Sequence, residues 1–405
     1  MLIKGCYAIF TDDKQHGKLW KSIASTQLTL VASIAQMTLS AVAGMITDLT
    51  WSLSAMSRRV LRYIADRIRD RSIHGQRFCR YHLTHTPMRA VRFHEYGGTD
   101  VLRVDDIERP TPGPEEVLLE VEAAAVNPVD TYFRTGDYEP GELPWIPGSD
   151  CAGTVAATGE RVATVTEGDR AFATGLGNWL QGTCAEYVTV PESHLARLPD
   201  GVSAEAGAAV ALVGVTAWQT LVDACSLEPA ERALIHGGSG GVGHVAVQLA
   251  AANGAQVTTT ASPAYHNQLA DLGADDVFDY SRDDLADAVV EAGAPDVILD
   301  HRLDDYLAFD AEVAAQGARI AAIGNTDLAA TFENVPRCRA KALSVHHVSM
   351  FNTPEFGAVL SRLATLMADD DLTPVVARRY DLDDVPAAHD DVLNDSFLGK
   401  LVVTP

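Results

Sequence analysis

Residues 233–243 read Ala233-Leu234-Ile235-His236-Gly237-Gly238-Ser239-Gly240-Gly241-Val242-Gly243, and an apolar, Ala-rich run follows from His244 to Ala252. A compact strand, a glycine turn and a helix in direct succession give the pattern G-x-G-x-x-G its weight, because the pattern alone is common. In this context Gly238 is expected to make the tight turn. Gly240 lets the backbone approach a pyrophosphate, Gly243 packs the helix on the strand, and Ser239, Gly241 and Val242 complete the loop. The unpaired N–H groups and dipole of the helix N-terminus then face the phosphates.

The same texture continues outward on the C-terminal side. Ala204–Ala211 and Gly243–Ala252 read as helices. Ala233–His236, Gln256–Thr259, Asp296–Asp300 and Arg319–Ile323 read as strands. Strand and helix in regular alternation predict a parallel, doubly wound sheet. On the N-terminal side, between Ala90 and Pro199, short β-branched runs are broken by Gly and Pro. Glu116–Val121, Gly153–Val155, Arg161–Val165 and Tyr187–Val190 predict an antiparallel β-domain.

Charge divides the chain differently. The whole carries 31 Lys+Arg against 55 Asp+Glu, a net −24 over 405 residues. Residues 1–87 hold twelve basic and five acidic residues, a net +7, which leaves −31 on the remainder. Beyond Met88 only Lys341 and Lys400 are lysines. So acidic a surface excludes nucleic-acid backbone binding by the whole molecule and suits a very salty cytoplasm. The first 87 residues read as a basic extension. Ser22–Thr47 is uncharged but too rich in Ser, Thr and Gln for a spanning helix, and Ser57–Arg71 spaces its arginines as a basic amphipathic helix. Such a helix suits an acidic membrane surface; the preferred reading is an appendage, with Met88 as an alternative initiator and membrane contact not expected. Six scattered cysteines (Cys6, Cys79, Cys151, Cys184, Cys225, Cys338) form neither a disulfide framework nor a zinc knuckle, which fits a reducing, cytoplasmic compartment.

No acid occurs from His244 to Ala270, where a fold that prefers NAD places one to hold the adenosine ribose. Ser262, Tyr265 and His266 stand there instead as donors to a 2′-phosphate, which favours NADPH. For Ser262, helix capping is a competing explanation.

Several ordered motifs carry a resemblance. They are Val126-Asn127-Pro128-Val129-Asp130-Thr131-Tyr132-Phe133-Arg134-Thr135-Gly136, Pro147-Gly148-Ser149-Asp150-Cys151-Ala152-Gly153, Gly182-Thr183-Cys184-Ala185-Glu186-Tyr187, Gly214-Val215-Thr216-Ala217-Trp218, the glycine turn, Ile323-Gly324-Asn325 and Gly399-Lys400-Leu401-Val402-Val403. From Met88 to Pro405 the chain resembles the zinc-independent medium-chain dehydrogenase/reductases, in their quinone oxidoreductase (zeta-crystallin-like) branch. The resemblance implies an α/β plus β architecture: a GroES-like β-barrel-type domain with an inserted Rossmann domain. The implied division is 88–212 catalytic, 213–347 Rossmann and 348–405 returning to the catalytic domain.

Zinc-dependent relatives use a Cys and a Gly-His-Glu motif. Here Asn127 replaces the Cys and Gly148-Ser149-Asp150 replaces the second motif, so no metal is expected. By resemblance, Asn127 and Tyr132 line the nicotinamide end, Thr216 contacts the nicotinamide ribose, Gly324 and Asn325 border the cofactor cleft, and Lys400 sits in the C-terminal strand. Tyr132 is read as nearest the reacting carbonyl, against the alternative of a packed β-domain tyrosine. Asp130 and Arg134 are read as a structural ion pair, and His236 as core. One departure stands out: where the family commonly has Asp-x-Val-Gly, this chain has Asp300-His301-Arg302-Leu303. These residues alter the cofactor edge, reach a phosphate, or are neutral loop changes.

Without a metal, the chemistry left is the cofactor's hydride, positioning and a few hydrogen-bond donors, which suits a quinone. The expected activity is NADPH-dependent quinone reduction by a homodimer paired through the Rossmann sheet edge. The alternatives are an NADPH-dependent enone (2-alkenal) reductase and a non-catalytic dinucleotide-binding module.

Overall fold

The computed structural model describes residues 86–405, so the readings placed on the basic extension, Ser22–Thr47 and Ser57–Arg71 included, lie outside the described residues. In chain order the first elements are β1 (Pro87–Arg92), β2 (Arg103–Glu108), β3 (Glu116–Val126), α1 (Pro128–Thr135), β4 (Asp150–Thr158), β5 (Arg170–Ala173), β6 (Tyr187–Pro191) and β7 (Leu195–Arg197). The helix α2 (Ala204–Trp218), extended by a π-turn at Gln219–Ala224, leads into the second set. There β8 (Arg232–Ile235), α3 (Gly241–Ala252), β9 (Gln256–Thr260), α4 (His266–Asp271), β10 (Asp276–Phe278), α5 (Leu285–Gly293), β11 (Val297–Asp300), α6 (Leu303–Val313), β12 (Arg319–Ala322), α7 (Val335–Lys341) and β13 (Ser344–His347) alternate. The chain returns through α8 (Phe356–Ala368), β14 (Val376–Asp381), α9 (Val385–Asn394) and β15 (Lys400–Thr404).

The second set forms one parallel sheet in the order β10-β9-β8-β11-β12-β13. This is the doubly wound order, in which strand succession reverses between β8 and β11 and opens a crevice at their carboxyl ends. The first set and the return form a sheet ordered β14-β15-β3-β4-β5-β7, with β6 pairing the other part of β3. It is antiparallel apart from β14 with β15. Both sheets predicted from sequence are therefore present, and the GroES-like and Rossmann architectures coexist in one compact unit of the described residues.

One expected strand is absent. Residues 161–165 form a loop, because the N–H groups of Ala163 and Thr164 both donate to Glu192 Oε1 at 2.6 Å instead of to a neighbouring strand. A side chain that satisfies the backbone removes the ladder that an alternating sequence would otherwise join.

The passage between the two textures is a continuous helix, and the expected boundary at 212/213 falls inside α2. Its apolar residues, Val210, Val213 and Val215 among them, belong to a core that also takes in Ala123 and Ala152 of the β-domain and Val245 and Leu249 of α3. The Ala204–Ala224 segment is long and apolar enough to cross a membrane by length and composition, yet most of it is buried inside the protein. Its hydrophobicity is accounted for by packing on both sides.

Candidate active site

The turn after β8 is built by close approaches. Gly237, at φ 66°, takes the left-handed backbone the turn requires, so the tight-turn role expected of Gly238 belongs to its predecessor. Gly238 is needed for a different reason: a Cβ there would stand 2.2 Å from Thr259 Oγ1 of β9. A Cβ on Gly243 would meet Gly237 O at 2.1 Å, which fixes the packing of α3 on the turn. At Gly240 a Cβ would meet only Gly237 O, at 3.2 Å, and open space otherwise. The turn is thus close-packed at its base and free at Gly240, where the first N–H groups of α3 lack intrahelical acceptors. A dinucleotide pyrophosphate fits that cradle.

The return segment clamps this turn from the catalytic side. Gly399 N–H donates to Ser239 O at 2.9 Å. His244 Nδ1 lies 3.1 Å from Gly240 O, and its Nε2 accepts from Val375 N–H at 3.2 Å. Burial pushes His244 down to about 4, with Lys400 adding, so the ring is neutral and this pattern sets its tautomer. Gln248 exchanges two bonds with the Thr373 backbone.

At Gly241 the turn meets Lys400, whose Cδ is 3.1 Å from the place of a Cβ, and Val213 of α2. The buried Lys400 Nζ donates to Val126 O at 2.7 Å and to Asn127 Oδ1. Asn127, which caps α1, donates from Nδ2 to Asp150 Oδ2 at 2.8 Å. Asp150 also accepts from Thr174 Oγ1 at 2.7 Å and from Leu212 N–H of α2 at 2.9 Å. Asp130 accepts from Asn127 N–H at 2.8 Å and Ser149 Oγ at 2.7 Å. One network therefore joins the C-terminal strand, the cap of α1, the start of β4 and α2.

Burial dominates its electrostatics. It raises Asp130 to about 7 and raises Asp150, with Lys400 pulling both the other way. Lys400 is lowered by burial despite the two carboxyls.

This geometry revises several expectations. Asn127 and Thr216 stand at the junction as expected, but their polar groups are engaged within the protein, since Thr216 Oγ1 donates to Leu212 O. Asn127 is a hub of the network and its side chain offers no free donor. The Asp130–Arg134 ion pair is not formed: Arg134 Nη1 donates to Gly97 O, while Asp130 turns toward Ser149. Of the three residues after β9, Ser262 makes no capping bond and its Oγ is 3.5 Å from Tyr280 Oη. Tyr265 Oη pairs with Ser396 Oγ at 3.2 Å, and the His266 ring is directed to Ala261 O at 3.1 Å. Gly324 borders the crevice, where its Cβ would stand 2.6 Å from His301 O; the Asn325 amide donates to Asp327 O.

Tyr132, part-exposed on α1, has no hydrogen-bond partner for its hydroxyl among the described residues. Partial burial raises its pKa, with Tyr138 and Asp137 adding, so the phenol remains a donor at neutral pH. Tyr138 packs edge-on against it at 5.7 Å. Phe133 meets both Tyr138 and Phe351, the latter from the segment after β13. Sequence reasoning missed Tyr138, Tyr280, Asp150 as a hub and His244. Tyr138 lies six residues beyond Tyr132 past Gly136, and that aromatic pairing across a turn was the available signal.

Zinc does not fit here. The positions for a first ligand set hold Asn127, Ser149 and Asp150, and the Asn127 oxygen is already bound to an ammonium. Among the described residues no three His, Cys, Asp or Glu side chains group as a metal site, and burial drives the Cys151 and Cys184 thiols far above neutrality.

Residues 113–200 match the alcohol dehydrogenase GroES-like domain and residues 272–403 the zinc-binding dehydrogenase family. The chain is 33% identical over 327 residues to human quinone oxidoreductase, covering 78% of this chain and 97% of that one. The quinone oxidoreductase structure of Pseudomonas syringae pv. tomato superposes with a TM-score of 0.71 at 29% identity, covering 78% of this chain and all of that one. The Escherichia coli quinone oxidoreductase, solved as an NADPH complex, gives 0.71 at 27% identity with the same coverage. The two domain matches and the identity to quinone oxidoreductases over nearly their whole length make this chain a member of the quinone oxidoreductase branch of the medium-chain dehydrogenase/reductases, and an oxidoreductase.

Proposed function

We propose that the chain is an NADPH-dependent, metal-free reductase that passes hydride from nicotinamide to a quinone or a similar electron-poor carbonyl compound. The observation that carries this reading is the open, clamped turn at Gly240 joined through Lys400 to Asn127, at the place where a metal-dependent relative would hold its ligands. When bound, the cofactor supplies the hydride. The first turn of α3 holds its pyrophosphate, and Gly399, His244 and Gln248 fix that turn against the catalytic domain. Lys400 and Asp150 hold Asn127, and with it the start of α1 from which Tyr132 projects. The Tyr132 hydroxyl donates a hydrogen bond to the acceptor oxygen, where negative charge develops. Phe133, Tyr138 and Phe351 pack together beside Tyr132 and offer the acceptor an aromatic surface.

NADPH is favoured over NADH by the missing acid after β9 and by the Ser262 and Tyr280 hydroxyls beside the end of that strand. The NADPH complex of the Escherichia coli relative supports the same choice. Steady-state oxidation of NADPH and NADH with a quinone tests both parts of the reading; equal kcat/KM for the two cofactors contradicts the preference. The enone reductase alternative rests on the same Tyr132 donor and is separated by product: a hydroquinone from a quinone, a saturated carbonyl from an alkenal.

The setting proposed is a salty cytoplasm, supported by the net −31 beyond residue 87. A homodimer paired through β13 is supported by the edge position of that strand and by the exposed Leu328, Phe332 and Val335 before it.

A further inference from the structure

A buried polar cluster lies behind the dinucleotide turn, in a layer otherwise filled by Leu234, Ile298, Leu307 and Ile320. His236, the residue before Gly237, is 2% exposed. Its Nε2 lies 2.8 Å from Oδ1 of the fully buried Asp310 of α6. Its ring stacks on Tyr306 with centroids 4.5 Å apart. Beside Asp310, Asp300 is held well above the ordinary carboxyl range by burial and by its neighbour. On the other side, His236 Nδ1 is 3.5 Å from Thr260 Oγ1, and that oxygen accepts from Gly237 N–H at 3.2 Å.

One assignment of hydrogens satisfies all three contacts. The carboxylate only accepts, so Nε2 carries the ring hydrogen. Nδ1 is then an acceptor, the Thr260 hydroxyl donates to it, and its oxygen keeps a lone pair for Gly237 N–H. Gly237 is the residue on which the turn depends, because its carbonyl accepts from Gly240 N–H at 2.9 Å and abuts Gly243. A displacement of Gly237 is therefore passed to the phosphate cradle.

We propose that Asp310, His236 and Thr260 form a relay of positioning residues that sets Gly237 and thereby the affinity of the turn for the dinucleotide. This rests on the reading that the turn binds NADPH. The relay acts on cofactor binding and not on the hydride step, and that separates it from a merely structural cluster.

The test measures the NADPH Kd by fluorescence titration, together with kcat and the quinone KM, in the full chain and in Thr260→Val, Thr260→Ser, Asp310→Asn and the Val/Asn double variant. A displacement of Gly237 that costs the bound cofactor about 1 kcal/mol predicts that Thr260→Val and Asp310→Asn each raise Kd about fivefold. At saturating NADPH, kcat and the quinone KM stay within about twofold. Thr260→Ser, which keeps the hydroxyl, retains the original affinity, and the double variant binds no more weakly than the weaker single one. The relay is overturned if Thr260→Val binds NADPH as tightly as the unaltered protein, if Ser loses as much as Val, or if the double effect is the sum of the singles. Should Asp310→Asn fail to fold, the Val and Ser pair decides alone. An unaltered protein that binds neither NADPH nor NADH overturns the cofactor reading itself, a separate outcome from equal binding by all variants.

Discussion

At the scale of single residues, the proposed site divides into side chains assigned to the acceptor and side chains that hold others. Tyr132 is proposed as the first kind: its hydroxyl has no partner among the described residues and remains protonated. Replacing it with Phe removes one donor at the developing oxyanion, and kcat falls on the order of a hundredfold while the NADPH Kd is unchanged. Steady-state kinetics on the variant check this. Lys400 is of the second kind. Lys400→Met leaves Asp130 and Asp150 buried without their cation, so stability drops by about 3 kcal/mol, read from the urea midpoint. The sequence pointed to Lys400 through its rarity and to Asn127 and Tyr132 through motifs. It did not show which of them is saturated, because the partners of Asn127 lie 23 and 273 positions away. Such contacts follow from the packing of four elements and leave no local pattern.

At the scale of elements, the glycine turn was legible because every signal in it is local: strand, turn residues, then helix. The roles within it were only partly legible, since Gly237 and not Gly238 carries the left-handed backbone. The roles separate experimentally. Gly240 has ordinary backbone angles, and a Cβ there would meet only Gly237 O, at 3.2 Å, a tight contact relieved by a shift of a few tenths of an ångström. Gly240→Ala therefore loses less stability than Gly243→Ala, while its NADPH Kd rises by roughly tenfold or more as the methyl group occupies the phosphate approach. Gly243→Ala forces its methyl group against the Gly237 backbone and costs about 2 kcal/mol or more of stability. Thermal melts and NADPH titrations of both variants distinguish a fold glycine from a binding glycine. The loop at 161–165 shows the converse case. Its alternation reads as a strand, and only the distant Glu192 carboxylate explains why it is not one.

At the scale of the whole molecule, the two sheets were legible from texture, whereas the continuity of the core through α2 was not. Composition changes there while the helix does not break. The return segment also places α9 over the β-domain, where His389 is buried with neither ring nitrogen hydrogen-bonded. Burial pushes His389 down to about 3, with Arg134 adding. Its folded pKa lies below the unfolded value, so the unfolded chain takes up a proton first, and stability is lost as pH falls from about 6.5 toward 3. His389→Leu removes that loss, up to about 1.4 kcal/mol per pH unit within the window. Melting curves at pH 7 and pH 5 then show a smaller drop for the variant than for the unaltered protein.

The whole account turns on a buried ammonium, and not a metal, organising a reductase site. The most direct measurement is NADPH oxidation with 1,4-benzoquinone by the full chain, before and after exhaustive dialysis against a zinc chelator. The account predicts the same rate in both samples and no increase when zinc is returned. A rate that disappears on dialysis and comes back with zinc, or no NADPH oxidation in either sample, contradicts it.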